Sequence, residues 1–321
     1  MSGPSRHALP PLSRRHLLLG ALAVPVLAAC GGSGSSGSGG SGGSGGGSAS
    51  STTFTISAIP DQDPEKLNRL YGTVADCVAA ATDLEVEYRP VTDYTAVVRA
   101  FQRGDVHLAW MGGLTGVQAR ELVPGATAIA QRDIDADFHS LFIANRSAGL
   151  EPFDDVSGLT GLAGKSLTFG SETSTSGRLM PQFFMDEAGL DLDDLSGPPG
   201  FSGSHDATIE AVASGAFQVG AVNEQVFTAT QEAGEVDLSG VVVLFRTPGY
   251  ADYHWLVRPD VDDVFGEGTT QRLQDFLLGL DAGDEKEAEI LELFGAETFI
   301  EADDAAYDEL EEVARGQGLL E

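Results

Sequence analysis

The sequence is poor in cysteine and in basic residues. Its 321 residues include only two cysteines, so a framework of several disulfides cannot hold the fold and a hydrophobic core must do so. Lysine and arginine number 18 against 49 aspartate and glutamate, for a formal net charge of -31. Nucleic-acid phosphates and anionic lipid surfaces repel such a chain, which excludes nucleic acid as a partner. An anion bound by this protein must therefore be held by local dipoles, against an unfavourable overall field.

A long hydrophobic run is also missing. The apolar stretch 17–29 is shorter than the about 20 residues that span a bilayer, and it follows the pair Arg14 and Arg15. These features predict a signal peptide over residues 1–29, with a twin-arginine pattern. The stretch ends in Leu-Ala-Ala-Cys, which resembles the lipobox of bacterial lipoproteins and predicts lipidation of Cys30. A spacer cysteine after an ordinary signal peptide is the alternative.

After the cysteine, residues 31–53 contain almost nothing but glycine, serine, alanine and threonine, and the segment of residues 30–53 thus joins the predicted lipidated cysteine to a Gly/Ser-rich stretch. Such a composition buries no apolar surface and predicts a flexible tether. The order of cysteine, tether and folded body is typical of a protein anchored to the outer face of a membrane. Cys77 falls on the apolar face of a predicted helix, which indicates a core residue.

Strand-like and helix-like segments alternate through the rest of the chain. The predicted strands are residues 54–60, 84–91, 106–111, 126–131, 138–144, 166–169, 217–223, 241–245 and 253–257. The predicted helices are residues 63–81, 93–104, 115–122, 175–188, 205–214, 226–233, 269–280, 285–294 and 303–315. The alternation indicates an α/β protein of two lobes, each a mostly parallel sheet flanked by helices. Extended crossings between the lobes would create a cleft, and ligands in such sheets bind where strands end and helices start.

The segment "FGSETSTSGRLMP", residues 169–181, places Ser174, Thr175 and Ser176 at the start of a predicted helix that follows a strand. Backbone N–H groups without helical partners and the positive end of the helix dipole make such a start an anion site. The three hydroxyls add hydrogen-bond donors without adding charge. A single serine or threonine is enough to cap a helix, so the surplus of hydroxyls favours a binding role over capping alone.

A second candidate lies in "SGSHDATIEAV", where His205 begins another predicted helix and can donate to an oxyanion. No second histidine, cysteine or paired acid has the spacing of a metal site, and "GLTGLAGKS" precedes a strand instead of following one, unlike a phosphate-binding loop. The sequence therefore predicts no metal and no cofactor. Ser176, His205 and Asp252 supply the residue types of a hydrolase triad, but the nucleophile-elbow motif is missing from the folded part. We therefore expect no catalytic residues and treat a serine hydrolase as a remote alternative.

Four segments together resemble the PhnD-type family of phosphate-, phosphite- and phosphonate-binding proteins of ABC importers. They are "DYTAVVRAFQRGDVHLAWMGG", "FGSETSTSGRLMP", "GSHDATIEAVASGAFQVGAVNE" and "PGYADYHWLV". The resemblance covers most of residues 54–300 and implies a periplasmic-binding-protein fold of type II. It implies a first lobe of residues 54–147 plus 250–321 and a second lobe of residues 148–249, which move about crossings near 145–150 and 247–252. The segment "LAWMGGLTGVQAR" also resembles a branch of selenate-binding proteins.

The resemblance implies that the lobes close on a tetrahedral oxyanion. The residues that it assigns to the ligand are Tyr94, Ser174, Thr175, Ser176, His205 and Asp252. Tyr253 is a substitute for Asp252, because the spacing to the following tryptophan differs by about one residue. Gln225 falls where some aminoalkylphosphonate binders have a glutamate, and Phe138 where they have a tyrosine. A neutral amide would not hold an amine, so these departures favour a smaller inorganic or simple alkyl oxyanion.

The resemblance also implies partners and a location. An ABC permease and its ATPase would receive the ligand from a monomer that is held by lipid at Cys30 on the extracytoplasmic face of the cell membrane. A selenate binder of the same family and a ligand-binding sensor are the alternatives. Asp252 separates the ligand classes, because a buried carboxylate tolerates an oxyanion only when a proton lies between them. Phosphorus oxyanions carry such a proton near neutral pH, whereas selenate and sulfate do not.

Overall fold

The computed structural model describes residues 52–320. The strands in this range are β1 (Phe54–Ala58), β2 (Val86–Tyr88), β3 (Leu108–Met111), β4 (Thr127–Arg132), β5 (Ser140–Asn145), β6 (Leu167–Phe169), β7 (Gly200–Phe201), β8 (Val219–Asn223), β9 (Val241–Arg246), β10 (His254–Val257) and β11 (Phe299–Ile300). The α-helices are α1 (Pro64–Thr82), α2 (Tyr94–Arg103), α3 (Gly113–Leu122), α4 (Met180–Ala188), α5 (His205–Ala213), α6 (Glu224–Ala233), α7 (Val261–Phe265), α8 (Thr269–Leu278), α9 (Glu285–Phe294) and α10 (Asp308–Gly316). The predicted signal peptide, Cys30 and the tether up to residue 51 lie outside the described residues.

The strands form two sheets, one in each lobe. The first sheet has the order β11-β4-β10-β3-β1-β2, and the second has the order β7-β6-β8-β5-β9. The two-lobed α/β architecture is therefore confirmed, but both sheets are mixed. Strands β1, β2 and β3 are parallel, as are β6, β7 and β8, whereas β10 and β5 run antiparallel to their neighbours. The reason is that β10 and β5 enter their sheets directly from a crossing, so each runs away from the cleft.

Each sheet has a buried centre. Strands β1 and β3 are buried along their whole length, as is β8 in the second sheet, because their residues are apolar or small on both faces. Helix α1 packs against α8 and α9, and α2 packs against α3. Asp63 starts α1 by accepting hydrogen bonds from the N–H groups of Glu65 and Lys66, with Pro64 at the first helical position. Cys77 is half-buried and packs against this core, as predicted.

Two crossing segments, residues 133–139 and 247–253, connect the sheets and pair with each other. Phe138 donates to the carbonyl of Tyr250 (2.8 Å), and Tyr250 donates back (3.0 Å). The predicted boundary at residues 147 and 148 does not match this topology, since β5 already belongs to the second sheet. The alternation of strands and helices in a sequence does not tell which sheet a strand joins, so β5 was assigned to the first lobe. The second predicted crossing, 247–252, coincides with the observed segment.

Short helical segments complete the chain. The 3-10 helices are Asp133–Asp137, Arg146–Ala148, Val156–Leu162, Leu192–Asp194 and Asp304–Tyr307. One π-helical turn, Thr175–Leu179, leads directly into α4. Single π-turns occur mostly inside α-helices and frequently at functional sites. The turn lies in the segment that the sequence predicts to bind an anion.

Candidate functional site

Ser174, Thr175 and Ser176 form a hydroxyl cluster at the start of the π-turn, and all three are at least 98% buried. Ser174 caps the turn, since its Oγ accepts from the N–H of Gly177 (2.9 Å). Its carbonyl accepts from the N–H of Leu179 (3.0 Å), a spacing of five residues that widens the first turn. The cap uses one hydroxyl. The hydroxyls of Thr175 and Ser176 do not cap the turn. They lie at a helix start, where backbone N–H groups and the helix dipole favour an anion.

Three buried side-chain atoms near this cluster have no hydrogen-bond partner within residues 52–320. They are Oη of Tyr94, Oγ of Ser176 and Oδ2 of Asp252. The three groups influence one another: the charge of Asp252 raises the pKa of Tyr94, and the hydroxyl of Ser176 lowers the pKa of Asp252. Burial is the main cause of the raised pKa of Tyr94, so its hydroxyl remains a donor. Buried polar groups without partners are rare in proteins, and their grouping is typical of a binding site.

Asp252 lies in the second crossing, beside the start of α3. Its Oδ1 accepts from the N–H of Gly113 (3.0 Å), and the next amide, that of Leu114, donates to Oγ1 of Thr175 (3.0 Å). The α3 terminus thus contacts both the crossing and the hydroxyl cluster of the second lobe. A Cβ at Gly112 would lie 3.1 Å from Oγ1 of Thr175 and 3.2 Å from Oδ1 of Asp252, so a glycine allows this close approach.

Burial raises the pKa of Asp252 to about 7. The N–H of Gly113 opposes this rise, the negative charge of Asp135 adds to it, and the hydroxyls of Thr175 and Ser176 oppose it. Near neutral pH both the protonated and the ionised form of the carboxyl are therefore accessible. Such a group donates a hydrogen bond in one state and accepts one in the other. It can share a proton with an anion, whereas an ordinary aspartate would repel that anion.

His205 lies at the start of α5 with both ring nitrogens engaged. Its Nδ1 accepts from the N–H of Asn223 (3.3 Å), which assigns the proton to Nε2, and Nε2 lies 3.4 Å from the hydroxyl of Tyr253. Burial lowers the pKa of His205 to about 3, so the ring is neutral. Its Cε1 is so close to the π-turn that a Cβ on Gly177 would lie 3.1 Å away. His205 thus touches the turn, and its Nε2–H points to Tyr253.

Tyr253 is buried and connects His205 to the rest of the site. Its hydroxyl also accepts from Nδ2 of Asn223 (3.1 Å), and its ring stacks on Trp110 with centroids 5.7 Å apart. Burial is the main cause of a pKa well above the usual tyrosine range, followed by the charge of Asp61. The Tyr253 hydroxyl is therefore a neutral donor toward its acidic neighbour.

Arg132 is a functional candidate that sequence reasoning missed. Its Nε and Nη2 donate to the two carboxylate oxygens of Asp135 (2.7 and 2.6 Å). Its guanidinium lies 4.9 Å from the ring centroid of Tyr253, 5.4 Å from that of Trp110 and 5.7 Å from that of Phe138. Burial lowers the pKa of this guanidinium, but Asp135 outweighs the effect and raises it. The arginine is therefore neutralised by Asp135 and organises three aromatic rings.

Gln225 belongs with Arg132. Its Oε1 accepts from Nη1 of Arg132 (3.1 Å), and its N–H donates to Oδ1 of Asn223 (2.7 Å). Its side chain lines a neighbouring cavity that is shared with Asp61, Arg132 and Tyr253. The structure does not bring Gln225 into contact with the hydroxyl cluster. The family resemblance predicted a ligand-binding position for Gln225, just after β8, but it could not predict that Arg132 would hydrogen-bond this side chain.

Asp61 is a second buried acid that the sequence did not single out. Burial raises its pKa to about 6, and the hydroxyl of Tyr253 and the charge of Arg132 oppose that rise. Its only signal in the sequence is its place between a buried strand and the capping Asp63, in "IPDQDP". Within the part of the chain that the structure describes, no cluster of three metal-binding side chains occurs. No helix in that part is long and apolar enough to cross a membrane.

Comparison with known proteins assigns the family. Residues 56–307 match the family model of the ABC transporter, phosphonate, periplasmic substrate-binding protein. The chain belongs to this family. Members of the phosphonate-binding family are substrate-binding proteins of transporters, not enzymes, and they work outside the cytoplasm with a membrane permease. The predicted PhnD-type resemblance is thereby confirmed, whereas the selenate branch stays a hypothesis.

Among curated relatives, the probable ABC transporter phosphite binding protein PhnD1 of Prochlorococcus marinus (strain MIT 9301) is 42% identical over 261 residues, which cover 81% of this chain and 88% of PhnD1. The phosphate-import protein PhnD of Mycolicibacterium smegmatis is 29% identical over 178 residues, 52% of this chain and 54% of that protein. The solved structure of Prochlorococcus marinus PhnD1 in complex with methylphosphonate has a TM-score of 0.82 and 40% identity, covering 84% of this chain and 99% of PhnD1.

A more distant likeness extends only to the fold. The binding protein component of an ABC phosphonate transporter from Pseudomonas aeruginosa has a TM-score of 0.71 at 17% identity, with 81% of this chain and 85% of that chain covered. The architecture of two lobes is thus shared well beyond the range of clear sequence similarity.

Proposed function

We propose that this phosphonate-binding family member captures a small tetrahedral phosphorus oxyanion between its lobes and delivers it to an ABC permease. The observation that carries the proposal is the group of buried atoms without partners, Oη of Tyr94, Oγ of Ser176 and Oδ2 of Asp252. An oxyanion would satisfy these atoms together with the hydroxyls of Ser174 and Thr175 and the N–H groups of the π-turn. The names of the relatives, which include a phosphite and a phosphate protein, support the same class of ligand.

Asp252 supports phosphorus oxyanions over sulfate and selenate. Its pKa of about 7 lets the carboxyl and a phosphorus oxyanion hold one proton between them near neutral pH. Sulfate and selenate carry no such proton near neutral pH, so an ionised Asp252 repels them. They can bind only while Asp252 itself holds the proton. Selenate remains the alternative within the family, and a sensor with the same binding chemistry remains the alternative outside transport.

The surroundings favour a ligand with a small substituent or none. Gln225 is bonded to Arg132, so it would not be free to hold an amine. Phe138 lies against the ring of Tyr253 with centroids 5.5 Å apart and presents no hydroxyl. Phosphite, methylphosphonate and phosphate fit this description better than an aminoalkylphosphonate. A serine hydrolase is disfavoured, because Nε2 of His205 faces Tyr253 and Oγ of Ser176 has no hydrogen-bond partner among residues 52–320.

The remaining parts of the proposal concern the ends and the assembly of the chain. Lipid at Cys30 and the tether of residues 30–53 would hold a monomer at the outer face of the membrane, after removal of residues 1–29. Incorporation of a labelled fatty acid tests the anchor. The wild-type chain should be labelled and Cys30→Ser should not; equal labelling of both would contradict the assignment.

A calorimetric panel tests the ligand class. Phosphite, methylphosphonate, phosphate, sulfate and selenate should be titrated at about pH 6 and about pH 8, on either side of the pKa of Asp252. We expect binding of at least one phosphorus oxyanion. Its affinity should change with pH according to how many protons the ligand and the Asp252 carboxyl hold together. Preference for selenate at both pH values would contradict the proposed class, and heat from none of the five would contradict the site.

A further inference from the structure

Two loops of opposite lobes are joined by hydrogen bonds. The N–H of Asp63 donates to Oδ2 of Asp206 (2.6 Å), and the N–H of His205 donates to the carbonyl of Asp61 (3.0 Å). Residues 61–63 connect β1 of the first sheet to α1. His205 and Asp206 start α5, which packs against β8 and β5 of the second sheet. These bonds therefore join the lobes directly, without a ligand between them.

The local structure leaves the Asp63 amide free for this contact. The side chain of Asp63 accepts from the N–H groups of Glu65 and Lys66 and so caps α1, while its own N–H points away from the helix. Asp206 is half-buried in the first turn of α5, and the charges that face it are those of Asp63, Lys66 and Glu210. A carboxylate that accepts from a backbone amide makes one of the stronger hydrogen bonds in proteins.

We propose that Asp206 is a positioning residue for lobe closure, which increases the affinity for every oxyanion without touching any of them. The proposal rests on the proposed function, since it assumes that a ligand binds the closed form. His205 and Asp206, the first two residues of α5, make different contacts. The ring of His205 faces Tyr253 inside the cleft, whereas the carboxylate of Asp206 binds the loop of the other lobe.

The proposal makes a prediction that separates Asp206 from the ligand-binding residues. The apparent dissociation constant is the intrinsic one divided by the fraction of molecules in the closed form. Loss of the Asp206 contact lowers that fraction, so the affinity for each ligand falls by the same factor. A residue that contacts the ligand instead changes the affinities unequally and alters the preference between ligands.

The experiment compares Asp206→Ala, Asp206→Asn and Glu232→Gln in the full chain by calorimetry with phosphite and methylphosphonate. Asn keeps an oxygen that can accept from the Asp63 amide, and Glu232 is an exposed acid on α6 of the same lobe. We expect Asp206→Ala to weaken both ligands by the same factor of roughly ten, because a hydrogen bond to a charged group is lost. Asp206→Asn should recover most of the affinity, and Glu232→Gln should equal the wild type.

Hydrogen exchange of the ligand-free protein provides the second arm. Asp206→Ala should speed exchange at Asp63 and leave the core of α5, at Ile209 and Val212, as protected as in the wild type. Unchanged affinity or unequal losses for the two ligands would overturn the proposal, as would exchange that rises throughout α5. If neither oxyanion binds the wild type, the proposed function fails, and the exchange result still decides whether Asp206 joins the lobes.

Discussion

Replacement of Asp252 by asparagine tests the electrostatics of the site. The pKa of this carboxyl rises from about 4 in an unfolded chain to about 7 in the fold, and burial is the main cause. Because the folded protein holds the proton more tightly, stability falls as the pH rises through this interval. The ionised carboxylate costs nothing below about pH 4, and the full cost of about 4 kcal/mol is reached above about pH 7.

Asp252→Asn removes that cost and keeps an oxygen that accepts from the N–H of Gly113. The new amide can also donate to Oγ of Ser176, which has no partner among the described residues. We expect the variant to gain stability over the wild type by up to about 4 kcal/mol above about pH 7. The gain should shrink toward zero as the pH falls below about 4, where the wild-type carboxyl becomes protonated in the unfolded chain as well.

Urea unfolding of both proteins between about pH 4 and about pH 8.5 measures the difference in the free energy of unfolding. Asp154→Asn is the matched control, because it removes the same charge from an exposed loop. A difference between Asp252→Asn and the wild type that does not depend on pH would refute a buried carboxyl with a raised pKa. The same variant should lose roughly tenfold of its preference for phosphite over sulfate, because the repulsion of a fully ionised anion is gone.

Three further predictions concern the hydroxyls, the histidine and the buried ion pair. Thr175→Ala combined with Ser176→Ala should abolish oxyanion binding in calorimetry while the protein stays folded, with a lower melting temperature because the buried N–H of Leu114 loses its acceptor; unchanged affinity would exclude the hydroxyl cluster. His205→Ala should weaken binding by roughly tenfold, because the hydrogen bond between His205 and Tyr253 is lost. A smaller loss would mean that His205 only starts α5 and has no role in binding. Asp135→Ala should lower the free energy of unfolding by about 3–5 kcal/mol in urea titrations, since it leaves the buried guanidinium of Arg132 without its carboxylate. A loss below about 1 kcal/mol would mean that water or another acid replaces Asp135.

Local signals in the sequence were enough for part of the site. Ser174, Thr175 and Ser176 could be found because a strand, a run of hydroxyls and a helix start follow each other directly. The family resemblance added Tyr94 and Asp252 by position, and the structure brings both close to the hydroxyls. Each of these residues lies at or just before the start of a helix or in a crossing, which are positions that a sequence pattern can locate.

Contacts across the fold could not be predicted in the same way. The amide of Leu114 reaches Thr175 from a different lobe, and the aromatic rings around the pair of Arg132 and Asp135 come from segments that are far apart in the sequence. Gln225 had the right spacing, but the nearby arginine determines where its side chain points. The strand β5 was predicted within about two residues, yet its sheet depends on pairing with β8 and β9, which the periodicity of one strand does not encode.

The pairing of the two crossings has a mechanical consequence. Asp252 donates its N–H to the carbonyl of Asp135 (3.1 Å), two residues after the mutual bonds of Phe138 and Tyr250. The carboxyl of Asp252, which we propose to contact the oxyanion, therefore belongs to the two-stranded ribbon that connects the lobes. This ribbon must twist when the lobes separate. Rotation of one lobe changes the backbone torsion angles beside that carboxyl. Binding of the anion and the angle between the lobes are therefore thermodynamically coupled. A substitution anywhere along the ribbon, even one that does not contact the anion, should consequently change the affinity for it.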